Sequence, residues 1–160
     1  MPSLFPFLRR PLPEISLRGK LTGRWPELDL GFPTIELLVS FPSLSGNLAP
    51  IKAKIDSGAN ISLFPSLFIE QFPDKVGLVD HDLYGVVRDP RCRVPVRIAR
   101  VPLDLLDEQG NILRISESLV AFSQLPGTPS LIGMKDILEH FSLVNDGNGH
   151  IEMVYKQPLN

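Results

Sequence analysis

The stretch Ile51-Lys52-Ala53-Lys54-Ile55-Asp56-Ser57-Gly58-Ala59-Asn60-Ile61-Ser62-Leu63-Phe64 decides the fold. Its first five residues alternate apolar and basic, the period of a strand with one face buried and the other wet. That predicts Ile51, Ala53 and Ile55 toward a core and Lys52 and Lys54 toward water. The strand ends on a carboxylate, a hydroxyl and a glycine free to take positive φ. The acid is therefore delivered into a tight turn, where backbone N–H groups can hold it. Asp, Ser and Gly are equally the residues of an ordinary Asx-turn closing a strand, and the letters Asp56-Ser57-Gly58-Ala59 alone do not separate the two readings.

Working outward, residues 34–41 (Ile35, Leu37, Leu38, Val39, Phe41) form a strong apolar strand, broken by Pro42 and the Ser45-Gly46-Asn47 cluster. It is expected to pair with residues 49–56 as a hairpin. Upstream, residues 14–21 alternate Ile15, Leu17 and Leu21 with polar neighbours and read as a first strand, with a turn at Trp25-Pro26. Residues 1–13 carry prolines at 2, 6, 11 and 13, which deny a helix or a central strand. They read as an apolar arm that packs on a partner chain or is a processed leader, ahead of one domain over 14–160.

Downstream, residues 65–72 suit a short helix that starts at a proline, and 73–82 read as loop. Two β-prone arms around Asp89-Pro90, with Val94, Val96 and Ile98 alternating in the second, predict a hairpin. The return arm runs through 101–106, turns at 107–111 and comes back as 112–115, with a further buried strand at 119–122. Ser130-Leu131-Ile132-Gly133 is a short apolar strand ending in glycine. Apolar residues at 134, 137, 138 and 141 then have helical spacing, predicting about two turns of amphipathic helix. A turn at 145–149 leads into a closing strand over 151–155.

Length and composition bound the function. At 160 residues, 43% hydrophobic and 21% charged, the chain has the size and make-up of one globular domain with a real core. A net charge of −2 gives no global attraction to nucleic acid or to an anionic membrane, and no apolar run approaches the roughly 20 residues of a spanning helix. Arg9-Arg10 follow the apolar residues of the arm instead of preceding them, unlike a secretory signal. The one cysteine, Cys92, excludes an internal disulfide and suits a reducing cytosol, so a cytoplasmic location is expected. Sixteen prolines and twelve glycines favour short strands and turns over helices.

Two motifs together resemble the retroviral-type, or retropepsin-like, aspartic proteases. The first is Asp56-Ser57-Gly58-Ala59 with Ser62-Leu63 following. The second is Leu131-Ile132-Gly133 opening an element near the C-terminus, 75 residues after Asp56, with a hairpin between. The resemblance spans residues 14–155 and implies a mainly β fold, an acid-protease barrel with one or two short helices that works as a symmetric dimer. It implies an aspartic endopeptidase acting on peptide or protein substrates without metal or cofactor. Asp56 of each subunit would form the catalytic pair, supported by Ser57, Gly58, Ala59 and Asn60, with Leu131, Ile132 and Gly133 as scaffold. The hairpin carrying Tyr84, Gly85, Val86, Val87, Arg88, Asp89, Pro90 and Arg91 would be the flap covering substrate. The chain departs from the family pattern in two places: the hairpin tip lacks a glycine-rich run, and Lys54 stands in a strand the family keeps apolar on both faces.

Other constellations read as structure. His81, His140 and His150 have no metal-ligand spacing and are expected at the surface. Asp146-x-Asn148 begins like a calcium loop, but Ile151 and Gln157 stand where glycine and glutamate are needed, so a hairpin turn is expected there. Asp104, Asp107 and Glu108 read as a solvated turn, and Arg88, Arg91 and Arg93 as a charge-guarded hairpin edge. Two further functional readings compete with a protease: an inactive, protease-like binding or assembly module, prompted by Lys54 and the atypical hairpin tip, and a precursor activated by removal of the arm at Arg9-Arg10.

Overall fold

The structure is a computed structural model that describes residues 15–25, 30–42, 49–70, 79–84, 91–145, 147 and 150–156. The arm at 1–13 and the hairpin tip at 85–90 (Gly85, Val86, Val87, Arg88, Asp89 and Pro90) lie outside them, as does most of the 145–149 turn. The strands are β1 (Ile15–Trp25), β2 (Leu30–Ser40), β3 (Ile51–Ile55), β4 (Ser62–Phe64), β5 (Val79–Tyr84), β6 (Arg93–Leu106), β7 (Ile112–Ser123), β8 (Leu131–Ile132), β9 (Phe141–Asn145) and β10 (His150–Tyr155). One short helix, α1 (Leu67–Glu70), follows Pro65, and a single 3₁₀ turn occupies Leu138–His140. No described helix is long and apolar enough to cross a membrane.

The strand order is β5-β6-β7-β4-β8-β3-β2-β1-β10-β9, and β6 also pairs with β2 (Leu38 opposite Leu106, Ser40 opposite Asp104). That extra pairing closes six strands, β6-β7-β4-β8-β3-β2, into a barrel. Strand β5 extends it on one side and β1-β10-β9 on the other. The alternation read from the sequence holds in β3: Ala53 is buried, Ile51 and Ile55 half-buried, Lys52 and Lys54 exposed. All six barrel strands contribute to one buried cluster, with Val39, Ala53, Phe64, Leu103, Leu113 and Ile132 all nearly inaccessible. Three phenylalanines surround Phe41, whose ring lies 5.0 Å from Phe64, 4.9 Å from Phe68 and 5.7 Å from Phe122. Rings in offset and edge-on arrangements gain beyond the area they bury.

Four expectations need correction. Residues 79–82 are not loop but the start of β5, Val79 opposite Ile98 through Tyr84 opposite Arg93. Val79, Asp80 and His81 are exposed, so this edge strand lacks the apolar alternation that marks a half-buried one. Residues 112–115 and 119–122 belong to one strand, β7. The polar Ser116-Glu117 between them are exposed, and the register shift between Val101 and Leu103 on the partner strand absorbs the irregularity. The helix expected over 134–141 is absent: four residues of turn lead into the 3₁₀ turn, because Asp136 takes φ 61° and a left-handed residue stops an α-helix. Ile137 and Leu138 are nevertheless buried, so the apolar spacing reported packing without the helix.

The fourth correction is the turn between β6 and β7. Asp104 and Asp107 are buried, at 7% and 5% exposure. Asp104 is held across the strand pair by Arg114, whose Nε and Nη2 donate to its two oxygens at 2.8 and 2.9 Å. Asp107 accepts four hydrogen bonds: Oδ1 from the N–H groups of Gln109 and Asn111 (2.9 and 2.8 Å), Oδ2 from Asn111 Nδ2 and Arg18 N (2.9 and 3.0 Å). One carboxylate therefore shapes the turn and ties it to β1. Burial acts to raise its pKa, but the hydrogen bonds from Asn111, Arg18 and Gln109 outweigh it, so the carboxyl titrates below its ordinary 3.8. A depressed carboxyl pKa stabilises the fold above the unfolded-state value and loses that contribution as pH falls through the folded-state value. Asp107→Asn is expected to cost about 1–3 kcal/mol at neutral pH by urea denaturation. The gap from wild type should begin to narrow as pH falls below the ordinary 3.8 and close only below the lower folded-state value, where the native carboxyl is itself protonated.

Candidate active site

Strand β8 lies between β3 and β4, which are adjacent in the chain. It runs parallel to β3 (Lys54 opposite Leu131, Ile55 opposite Ile132) and antiparallel to β4 (Leu63 opposite Leu131). The connection from β3 to β4, residues 56–61, must therefore pass over the end of β8. Asp56 opens that connection. Its N–H donates to Ile132 O at 2.9 Å, continuing the β3–β8 ladder by one rung. Its C=O accepts from Ala59 N at 3.1 Å, which closes a turn over Ser57-Gly58.

The turn aims the carboxylate. Gly58 N–H donates to Asp56 Oδ1 at 2.9 Å, and a Cβ on Gly58 would stand 3.2 Å from that same oxygen, tighter than ordinary contact. Ser57 and Gly58 are exposed, and Asp56 is half-buried, so the acid is fixed at its base and open to solvent. Asn60 is exposed as well; its carbonyl accepts Lys135 N and that of Ala59 accepts Met134 N, both at 2.9 Å. The residues after β8 thus brace the far side of the turn that holds Asp56.

Gly133 is where the two motifs meet. A Cβ there would lie 2.6 Å from both the carbon and the oxygen of the Ile61 carbonyl and 2.8 Å from Ala59 O, all of them backbone atoms. Its N–H donates to the fully buried Ser62 Oγ at 2.9 Å. Leu131, Ile132 and Gly133 accordingly form the floor on which the turn rests. Sequence reading placed Ser62 in the first motif without giving it a role. A lone hydroxyl inside Ile61-Ser62-Leu63-Phe64 must find a partner when buried, and that was the available signal.

Asp56 borders a cleft of about 190 Å³, with Gly58, Ala59 and Asn60 on one side and Leu83 and Tyr84 of β5 on the other. Ile61, Leu63 and Leu131 supply its apolar wall. Leu63 joins Val94, Val96 and Ala121 in a small buried cluster, with Leu83, Ile98 and Leu131 packed against it, so the cleft and the base of the β5–β6 hairpin share one packing unit. Tyr84 is 66% exposed, a large ring at the cleft mouth. Of the hairpin residues singled out from sequence, Tyr84 lines the cleft and Arg91 is exposed; the six between them lie outside the described residues. Asp56 is the only carboxylate among the described residues lining this cleft. Ion pairs on the hairpin, Arg97 with Asp80 at 3.0 Å and Arg93 with Asp82 at 3.5 Å, are solvent-exposed. Each is worth at most about 1 kcal/mol.

No protein-family model matches the sequence, and no curated protein matches it significantly. Among solved structures the chain is similar to a retropepsin-like aspartic protease from Rickettsia conorii, at 14% identity and a TM-score of 0.48, covering 90% of this chain and 95% of that one. It is also similar to the EIAV protease in complex with an inhibitor, at 18% identity and a TM-score of 0.40, covering 67% of this chain and 85% of that one. At these values neither likeness decides what this chain does. Gly133→Ala is expected to cost at least about 1–3 kcal/mol in thermal or urea unfolding, because its new methyl meets main chain and not a yielding side chain. In a ¹H–¹⁵N spectrum of whatever folded fraction remains, the amides of Ala59 and Gly58 should shift.

Proposed function

We propose that the chain is an aspartic endopeptidase whose catalytic pair is assembled from Asp56 of two copies. The observation that supports this is a lone, half-buried carboxylate, aimed by the Gly58 N–H into a cleft with an apolar wall. Hydrolysis of a peptide by carboxylates alone needs two of them about 3 Å apart sharing one proton, so that one acts as base and the other as acid. One Asp56 per chain meets half of that requirement, and a two-fold axis beside it meets the rest.

In the pair, the ionised Asp56 takes a proton from a water that attacks the scissile carbonyl, while the protonated Asp56 donates to the carbonyl oxygen as charge develops there. Gly58 N–H stabilises the ionised oxygen it already contacts. Ser57, which is exposed, would bond across the two-fold axis. The β5–β6 hairpin would act as the flap, with Leu83 and Tyr84 closing over a bound peptide and excluding water. Lys54 does not argue for a degenerate site, since its side chain points to solvent on the face of β3 opposite Ala53. A lone, exposed Cys92 suits a reducing compartment such as the cytoplasm.

Digestion of a peptide library between about pH 4 and 7 tests this reading, since a shared-proton pair works in that range. Asp56→Asn is expected to lower cleavage by about three orders of magnitude or more while leaving the thermal melt near that of wild type. Cleavage that survives the substitution would overturn the assignment.

A further inference from the structure

The turn that holds Asp56 is braced by Met134 N and Lys135 N, which donate to Ala59 O and Asn60 O. Those donors lie in residues 133–137, a segment with no α-helix to keep it in shape. The backbone bonds within it and to the residues just after it are Ile137 N to Met134 O (3.3 Å), Leu138 N to Gly133 O (3.2 Å), Glu139 N to Met134 O (3.1 Å) and His140 N to Ile137 O (3.0 Å), none of which reaches the barrel. Beside the buried side chains of Ile137 and Leu138, a polar tie also fixes the height of the brace against the barrel.

Asp136 supplies that tie. It is the one non-glycine residue at positive φ among the described residues. Its Oδ2 accepts Leu119 N at 2.9 Å, and its side chain is only 20% exposed. Leu119 immediately precedes Val120, where pairing between β7 and β4 begins opposite Ser62. The carboxylate therefore takes the N–H just beyond the last rung of that ladder. The other groups facing Asp136 complete a small lock. Its N–H donates to Glu139 Oε1 at 2.7 Å, and Lys135 Nζ lies 3.3 Å from Asp136 Oδ1 and 3.9 Å from Glu139 Oε1. On the far side of Glu139, His140 Nε2 lies 3.6 Å from that same Oε1.

We infer that Asp136 is a positioning residue for Asp56, an inference that rests on reading Asp56 as half of a catalytic pair. The connection runs from β7 through the Asp136 carboxylate to the backbone of residues 134 and 135, from there to the carbonyls of Ala59 and Asn60, and so to the turn that aims Asp56. Asp136 touches neither the cleft nor a substrate. Its part is to hold the acid-bearing turn at one height on the barrel, so that two copies present their carboxyls to each other at hydrogen-bonding distance. An error of about 1 Å at a reacting group costs up to a hundredfold in rate.

Three substitutions separate the carboxylate from the backbone it sits on. Asp136→Asn keeps an oxygen acceptor and a residue tolerant of positive φ, Asp136→Gly keeps the φ and loses the acceptor, and Asp136→Ala loses both. With peptide substrate, Asp136→Asn should stay within about threefold of wild-type kcat, while Asp136→Gly should lose about tenfold to a hundredfold with KM within about twofold. The Gly58 amide resonance should move in Asp136→Gly and stay in Asp136→Asn, with the melting transition retained in both. A glycine variant with wild-type kcat, or one that alters KM alone, overturns the assignment. If the wild-type chain proves to have no peptidase activity, the reading of Asp56 fails instead, and the Gly58 amide and Asp56 carboxyl resonances still decide on Asp136. Resonances unmoved by Asp136→Gly would then exclude any hold of Asp136 on the acid's turn.

Discussion

The structure depends on the bare Cα of Gly133. Strand β8 can lie between β3 and β4 only if the chain joining those two crosses its end, and the crossing brings the Ile61 carbonyl within 2.6 Å of where a Cβ would be. No other residue type fits there without moving main chain. Once the approach is made, the remaining contacts fall into place at short range: Gly133 N to Ser62 Oγ, Asp56 N to Ile132 O, Met134 N to Ala59 O and Lys135 N to Asn60 O, all at 2.9 Å. Four hydrogen bonds around one crossing make the Asp56 turn a rigid element rather than a surface loop. Under the proposed function, such a hold is what a reacting carboxylate would need.

Packing around that crossing is divided in two. The large cluster, including Phe41 and the three phenylalanines around it, holds most of the buried apolar residues. The smaller cluster of Leu63, Val94, Val96 and Ala121 lies under the cleft and the hairpin. Leu63 and Leu131 belong to the packing under the cleft and also to its wall, so the shape of the cleft is set by core packing. Strand β5 is held more lightly than β6. Its outer contacts are exposed ion pairs, and β5 is largely exposed on one edge, which leaves it among the less stable parts of the described fold.

Much of this was legible from residue patterns because the pattern and the physics coincide. The Lys52–Lys54 alternation announced which face of β3 is wet, and the strand–Asp–Ser–Gly order announced where the acid goes. Other features depend on contacts far apart in sequence, which no local pattern carries. Strand β5 is a strand because β6 lies beside it; its own letters, Val79-Asp80-His81-Asp82, read as loop. Asp107 is buried because Arg18, 89 residues away, brings β1 across it. Residues 134–141 have the spacing of a helix, yet the backbone turns left-handed at Asp136 because a carboxylate there meets the N–H of Leu119. In each case a tertiary partner overrode a local preference. The dyad proposed across a two-fold axis would belong to the same class, since half of it would lie in another chain.

The most direct test of the two-chain site is the stoichiometry of a statine-type transition-state analogue, measured by calorimetric titration together with native mass spectrometry. If Asp56 is half of a shared catalytic pair, one inhibitor binds per two chains, the bound species is a dimer, and Asp56→Asn abolishes binding. One inhibitor bound per monomeric chain, or binding undiminished by Asp56→Asn, would contradict the account.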